Sequence, residues 1–165
     1  MDLATIRTIV KKRGIAGIFS YMPEVTCRGY VEGSGWRPPQ ASGEACGTVG
    51  KSKRLKAFCV GVDSSIVPGG IRYSARVRDS AREDWVNDGE AAFAGRAKYA
   101  EVMIIELTGK LADIYDVYYR ARVMDSDWTA WVKNGEAAGS PSHAIEAFEV
   151  MLAKKGKKPL VASSK

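Results

Sequence analysis

The chain has 165 residues, a hydrophobic fraction of 45% and a formal net charge of +6 at pH 7. This length fits one domain that can bury a core without metals or disulfides. The composition is that of an ordinary globular protein, and no apolar run approaches the roughly 20 residues of a membrane-spanning helix. We therefore expect a single domain over residues 1–165 with no membrane span.

Residues 1–19 precede the first repeated pattern of the chain. Their longest apolar stretch, residues 14–19, is too short and too late for the core of a signal peptide, and no cleavage pattern follows it. We therefore expect no signal peptide in this segment; either the protein is cytosolic or a leader precedes this sequence. We expect this segment to form a strand or a short helix that closes the third of three sheets.

An internal repeat organises the rest of the chain. The tripeptide Gly-Glu-Ala begins at Gly43, Gly89 and Gly135, always 46 residues apart. Alternating segments upstream keep this spacing, and alternating segments downstream are 45 residues apart. We call the repeats copies one, two and three, with approximate bounds 20–63, 66–108 and 112–153, and expect residues 156–165 to form a basic, flexible tail.

Each copy begins and ends with a segment in which apolar and polar residues alternate. In copy three, Val117, Tyr119 and Ala121 are predicted to face the core, and Arg120 and Arg122 to face solvent. This period of two predicts long strands. The Gly-, Asp- and Asn-rich stretch between them, which holds the tryptophans, predicts a short strand with tight turns.

Three such units can bury their apolar faces by sharing one core around a pseudo-threefold axis. We predict an all-β fold, a pseudo-threefold β-prism-like domain of three small antiparallel sheets, with one sheet formed by each copy. A β-trefoil is the alternative.

The tryptophan-containing stretch resembles a known family. Copy three reads Trp128-Thr-Ala-Trp131-Val-Lys-Asn-Gly135 before Glu-Ala-Ala-Gly. This pattern is similar to the clostridial hydrophobic repeat with a conserved tryptophan, the ChW repeat. Copy two keeps Trp85 but has Arg82 at the first tryptophan, and copy one keeps Trp36 with Pro39 at the second.

The resemblance implies extracellular, mostly Gram-positive bacterial proteins that bind at the cell surface, with recognition of carbohydrate or of a partner protein, and it implies no catalysis. We therefore expect a secreted or cell-surface protein. A cytoplasmic location is the alternative, because the chain shows no export signal.

The sequence offers little for catalysis or metal binding. His143 is the single histidine, and it is expected to be an ordinary surface residue. The three cysteines, Cys27, Cys46 and Cys59, are an odd number, so we expect small buried thiols rather than a disulfide framework. We expect no enzyme activity, no cofactor and no metal site.

The candidate ligand-binding residues are tryptophans, an arginine and the repeated glutamates. An exposed indole ring can stack on the apolar face of a pyranose while polar groups orient its hydroxyls. The alternatives are a core role for Trp85 and Trp131, the second tryptophan position of the motif, and a turn-anchoring role for the glutamates. The set comprises Trp36, Arg82, Trp128, Trp85, Trp131, Glu44, Glu90 and Glu136.

The outward faces of the first strands carry arginines that could contact phosphates or sulfated sugars: Arg72, Arg76, Arg120 and Arg122. A solvated sheet face is the alternative.

These observations predict a non-enzymatic binding module that recognises carbohydrate or a cell-surface polymer in a lectin-like manner. One alternative is a protein-interaction or structural module of a bacterial surface or phage particle. The other is binding of an anionic polymer through the arginine rows, with nucleic acid the less favoured partner.

Overall fold

The computed structural model describes residues 2–13, 21–76, 84–93 and 99–159. A helix, α1 (Leu3–Arg13), precedes copy one. Copy one contains β1 (Val25–Val31), β2 (Gly35–Trp36), β3 (Gln40–Ala41), β4 (Cys46–Gly47) and β5 (Leu55–Val62). Copy two contains β6 (Gly70–Arg76), β7 (Val86–Asn87), β8 (Ala92–Phe93) and β9 (Val102–Thr108). After a short helix, α2 (Lys110–Ile114), copy three contains β10 (Tyr115–Val123), β11 (Val132–Lys133), β12 (Ala137–Gly139) and β13 (Ile145–Lys154).

The first and last strands of each copy form one long antiparallel hairpin, and the three hairpins share one register. Cys27 lies opposite Val60 in copy one, Tyr73 opposite Ile105 in copy two, and Tyr119 opposite Val150 in copy three. These pairs occupy equivalent positions of the repeat. The alternating pattern thus predicts both the strands and the face that each residue occupies.

The short strand after each Gly-Glu-Ala turn leaves its own copy and joins the sheet of another. Strand β4 of copy one pairs with β13 of copy three, β8 of copy two pairs with β5 of copy one, and β12 of copy three pairs with β9 of copy two. The expectation that each copy forms a sheet by itself is therefore wrong in this respect. The exchange is cyclic, so every sheet combines strands of two copies.

The resulting architecture consists of three small antiparallel sheets, with strand orders β2-β1-β5-β8, β12-β9-β6-β7 and β11-β10-β13-β4, and with β3 also paired to β1. Within the described ranges no barrel closes, so the β-trefoil alternative does not apply. The prediction of an all-β, prism-like fold is confirmed.

The inward faces of the three sheets meet in one core. Phe58, Met103 and Phe148, at equivalent positions of the three last strands, are all fully buried. The ring centroid of Phe58 lies 5.2 Å from that of Phe148 and 5.3 Å from that of Tyr73, so aromatic side chains of all three copies touch. Burial of such side chains supplies most of the stabilisation of the fold.

The three last strands begin beside one another. The backbone N–H of Ile145 donates to the carbonyl of Ala100, and the N–H of Ala100 donates to the carbonyl of Leu55, each over 2.8 Å. These residues occupy equivalent positions, and all three are fully buried. The end of the prism at which these strands begin is therefore a junction of all three copies.

The N-terminal segment forms a helix over Leu3–Arg13, one of the two forms expected for it. Its Ile9 is fully buried in the shared core, and Asp2 forms an ion pair with Lys110 at the start of α2. Residues 14–20 of the predicted closing segment lie outside the described residues. At the other end of the chain, the N–H of Gly156 donates to a carboxylate oxygen of Asp116, so the first part of the expected tail contacts copy three.

The repeated glycines make the strand exchange possible. Gly43, Gly89 and Gly135 all have φ between 76° and 86°, a region that side chains other than hydrogen disfavour. In this conformation their N–H groups donate to Val150, Val60 and Ile105 of the sheet that receives the short strand, over 2.8–3.0 Å. The Gly-Glu-Ala signature therefore marks the point at which the chain crosses to another sheet.

Copy one contains a disulfide between Cys27 of β1 and Cys46 of β4, with a Cα–Cα distance of 6.2 Å. The expectation of three free thiols is wrong for these two residues. The number of cysteines is odd because two of them form the disulfide and the third, Cys59 on the opposite strand, remains a free thiol. Burial raises the pKa of the Cys59 thiol above its ordinary value.

Candidate functional site

The outer faces of the sheets carry arginines beside carboxylates, because strand alternation places both residue types away from the core. Arg72 lies opposite Glu106, and Arg120 opposite Glu149. Both pairs form ion pairs, and the Nε of Arg120 lies 3.0 Å from a carboxylate oxygen of Glu149. The side chains of that second pair are each only 12% exposed, so the guanidinium group has a fixed position.

The four tryptophans lie on these outer faces and not in the core. Each is half-buried, and each indole ring has an arginine guanidinium group nearby. Cation–π contacts of this kind at partly exposed sites contribute about 0.5–1 kcal/mol each. The arginines therefore orient the rings while leaving part of each ring accessible to solvent.

Copy three has the most complete arrangement. The guanidinium carbon of Arg120 lies 4.5 Å from the ring centroid of Trp128 and 4.8 Å from that of Trp131. A backbone bridge between Arg122 and Trp128 fixes the segment that carries the first ring. The fold thus brings together two predicted ligand residues and one predicted anionic contact. We call Arg120, Trp128, Trp131 and Glu149 the copy-three face.

Copies one and two have simpler versions of this face. In copy two the guanidinium group of Arg72 lies 4.6 Å from the ring of Trp85, and Arg82 lies outside the described residues. In copy one Arg28 lies 5.6 Å from the ring of Trp36, and Tyr30 meets that ring edge-on at 5.5 Å. The sequence did not single out Arg28 or Tyr30, although their positions on the outward side of β1 could have identified them.

The repeated glutamates bond within their own turns. Glu44, Glu90 and Glu136 each accept a hydrogen bond from the backbone N–H three residues earlier, over 2.9, 3.1 and 3.0 Å. All three are exposed. These contacts are those of the turn-anchoring alternative, and a role in ligand binding stays a prediction.

The positive charge of the arginine rows is largely neutralised by neighbouring acidic groups. Besides the two pairs above, the Nε of Arg122 lies 2.8 Å from an oxygen of Glu146, and its Nη1 lies 3.5 Å from Asp127. Arg76 lies at the end of β6, on the same side of its hairpin. A row of paired arginines attracts a polyanion less than the sequence suggests.

One cavity combines residues of all three copies that share no sequence motif. It has a volume of about 630 Å³, and its lining includes Arg54, Tyr99 and Ala144. These residues stand 45 positions apart, at equivalent sites of the three copies. The repeat spacing was the available signal, but the three positions hold unlike residues and so showed no shared pattern. His143, expected to be an ordinary surface residue, also lines this cavity.

Among the described residues, no three or more His, Cys, Asp or Glu side chains are grouped so that they could hold a metal ion. In the same part of the chain, neither helix has the length and apolar character needed to cross a bilayer.

Comparison with known proteins gives a match to a family model. The family model described as Clostridial hydrophobic W, ChW, matches residues 30–62. This segment runs from the end of β1 to the end of β5 and contains Trp36 and the disulfide residue Cys46. The likeness of copies two and three to the same family stays a prediction. No curated protein and no solved structure matches the chain.

Proposed function

We propose that this protein is a non-enzymatic module that binds carbohydrate or a cell-surface polymer through the tryptophan–arginine faces of its three sheets. One observation carries the proposal: all four tryptophans are held half-exposed on the outer faces. Large aromatic side chains kept outside a core are typical of binding surfaces.

The chemistry of the copy-three face suits a sugar. An indole ring can cover the apolar face of a pyranose, while the Arg120 guanidinium group donates to hydroxyl groups and Glu149 accepts from them. Each indole ring is only partly exposed, so a single contact of this kind is expected to be weak. Related faces on the other two sheets would raise the avidity for a repetitive polymer by increasing the effective concentration.

The Cys27–Cys46 disulfide supports a location outside the cytoplasm, because disulfides persist mainly in oxidising compartments. The ChW match over residues 30–62 supports association with a bacterial surface. The ion pairs of Arg72, Arg120 and Arg122 weigh against the alternative of a binder of anionic polymers.

A glycan array tests the proposal. The wild-type protein is expected to bind at least one glycan class, and Trp128→Ala and Trp131→Ala are expected to weaken that signal. Leu3→Ala is the matched control, since this exposed apolar residue lies in α1 and takes part in none of the described tryptophan–arginine contacts. A wild-type protein that binds no glycan class and forms a stable oligomer by light scattering would favour the protein-interaction alternative instead.

A further inference from the structure

The cavity at the junction of the three last strands differs in kind from the sheet faces. Each face belongs to one hairpin, whereas the cavity is lined by Arg54, Tyr99 and Ala144 of three different copies. Each of these residues directly precedes one of the buried residues Leu55, Ala100 and Ile145, which lie at or just before the start of the last strands. The cavity therefore lies at the end of the prism where the copies meet.

The three copies contribute unlike groups to this cavity. Copy one supplies a guanidinium group, copy two a phenol ring and copy three a methyl group, so the pseudo-threefold symmetry is broken chemically. The guanidinium carbon of Arg54 lies 4.7 Å from the ring centroid of Tyr99. The Arg54 side chain is 44% exposed, which leaves donors available to a ligand.

Two turns of copy three complete the lining with polar groups. One turn supplies Asp125 and Ser126, and the other supplies Ser140, Ser142 and His143. Hydroxyl groups both donate and accept hydrogen bonds, the carboxylate accepts, and an imidazole ring can do either. The cavity thus offers a mixture of donors and acceptors beside an aromatic ring.

The backbone of both turns is held in an unusual conformation. Asp125 and Ser142 have φ values of 58° and 73°, and Ser52, whose hydroxyl donates to Asp125, has a φ of 50°. Such values are uncommon for residues other than glycine, and they persist where the surroundings fix them. The buried carboxylate of Glu101 does so for Ser142, because it accepts the N–H of that residue over 2.9 Å. The cavity wall is therefore preorganised.

The charges at the cavity decide which ligand fits. Arg54 is the cation, but Glu32 lies 4.0 Å from its Nε, and Asp125 supplies a second carboxylate. Because two carboxylates offset the one guanidinium charge, these groups do not favour an anionic ligand. A volume of about 630 Å³ falls within the usual range of small-molecule sites and exceeds the needs of one sugar ring.

We propose that this cavity is a separate binding site for a neutral mono- or disaccharide, which enters end-on at the junction of the three copies. The site goes beyond the sheet-face function proposed above and does not depend on it. Arg54 and the serine hydroxyls donate to the sugar, Asp125 accepts from it, and Tyr99 provides an apolar wall.

The single histidine makes the site observable. The imidazole resonances of His143 can be followed by NMR during titration with glucose, galactose, mannose or N-acetylglucosamine. We expect saturable movement with at least one of these sugars, and about tenfold weaker binding in Arg54→Ala, the loss typical of a charged hydrogen bond. Lys53→Ala is the matched control, because it removes a neighbouring cation that does not line the cavity.

Three outcomes would overturn the proposal. The first is no movement of the His143 signals at up to about 100 mM sugar, where a millimolar site is saturated. The second is movement only with glucuronate or inorganic phosphate, which would identify an anion site. The third is loss of the response in Trp128→Ala, which would show that the cavity does not bind independently. Failure of the sheet-face function alone would leave the His143 response intact.

Discussion

Copy one and copy three have the same hairpin register, but they connect the first strand to the segment after the tryptophans by different bonds. In copy one Cys27 forms a disulfide with Cys46. In copy three the equivalent residue of the first strand is Tyr119, whose hydroxyl donates to the carbonyl of Glu136. Copy two resembles copy three, since Tyr73 donates to the carbonyl of Glu90. One position of the repeat therefore serves as a covalent or a hydrogen-bonded cross-link, and only copy one is sensitive to redox conditions.

The largest expected effect comes from removing the covalent link. We expect the double variant Cys27→Ser, Cys46→Ser to lose about 3 kcal/mol of unfolding free energy, because the disulfide closes a loop with a sequence separation of 19. Urea unfolding with and without reductant measures this loss. Reductant should destabilise the wild type but not the double variant, and Cys59→Ser should keep the wild-type response. Equal stability of all three proteins would contradict the cross-link role.

The next effect concerns a buried carboxylate of copy three. Glu146 is 1% exposed and accepts from Arg122 over 2.8 Å and from the N–H of Gly50 in copy one over 3.1 Å. Copy one has Lys56 at the equivalent position. We expect Glu146→Ala to cost about 2 kcal/mol, below the usual cost of a broken buried pair because Arg122 can reach water. Lys56→Ala should change the unfolding free energy by under about 0.5 kcal/mol, as is usual for surface changes. A similar loss of unfolding free energy in both variants would contradict the greater importance of this position in copy three than in copy one.

A pH-dependent contribution to stability distinguishes the start of the copy-three hairpin from the start of the copy-one hairpin. Copy three has the buried Asp116 where copy one has the exposed Glu24. Burial raises the pKa of the Asp116 carboxyl, but hydrogen bonds from Gly156 and Asn134 and the charges of nearby lysines lower it, and the net result is a pKa below the ordinary value of 3.8. The carboxylate therefore contributes stability that is present above pH 3.8 and is lost as the pH falls through the pKa of the folded state.

We expect Asp116→Asn to lose about 1.5 kcal/mol at neutral pH, the lower bound for hydrogen bonds to a charged group. The difference from the wild type should shrink as the pH falls below 3.8. Unfolding curves at a series of pH values test this, with Glu24→Gln as the control. A difference that does not change with pH would show that the charge of Asp116 has no part in it.

The smallest effect concerns the hydrogen-bonded cross-link. We expect Tyr119→Phe to lose about 1 kcal/mol, the usual contribution of one hydrogen bond. Burial raises the pKa of Tyr119 from 10.0 to about 12, so the unfolded chain ionises first and the stability contributed by the neutral phenol is lost as the pH rises from 10.0 to about 12. Urea unfolding at neutral pH and near pH 11 should show a smaller alkaline loss in Tyr119→Phe than in the wild type. An unchanged alkaline loss would assign it to other tyrosines.

Much of this fold could be predicted from the sequence, because the long strands carry an alternating pattern and repeat at a fixed spacing. The exchange of short strands could not be predicted. Elements of two or three residues, such as Cys46–Gly47, have no periodicity of their own, and their partners are far away in the chain. The disulfide was missed for a related reason, since a count of three cysteines does not show which two are neighbours in space.

The candidate sites show the same division between local and long-range information. The copy-three face was partly predictable, because Trp128, Trp131 and Arg120 lie within one copy and strand alternation places the arginine outside. The cavity depends on Arg54, Tyr99 and Ala144, which come together only when the last strands meet. Their equivalence within the repeat could have suggested this meeting, but their different chemistry gave no reason to group them.

The cyclic exchange of short strands has a consequence for a copy in isolation. Such a copy would have one unpaired strand to donate and one vacant sheet edge to fill, and a head-to-tail contact of this kind propagates until it closes a ring. The geometry seen here closes after three. A single copy released as its own polypeptide would therefore satisfy its edges as a homotrimer, and the present chain corresponds to such a trimer with its subunits fused end to end.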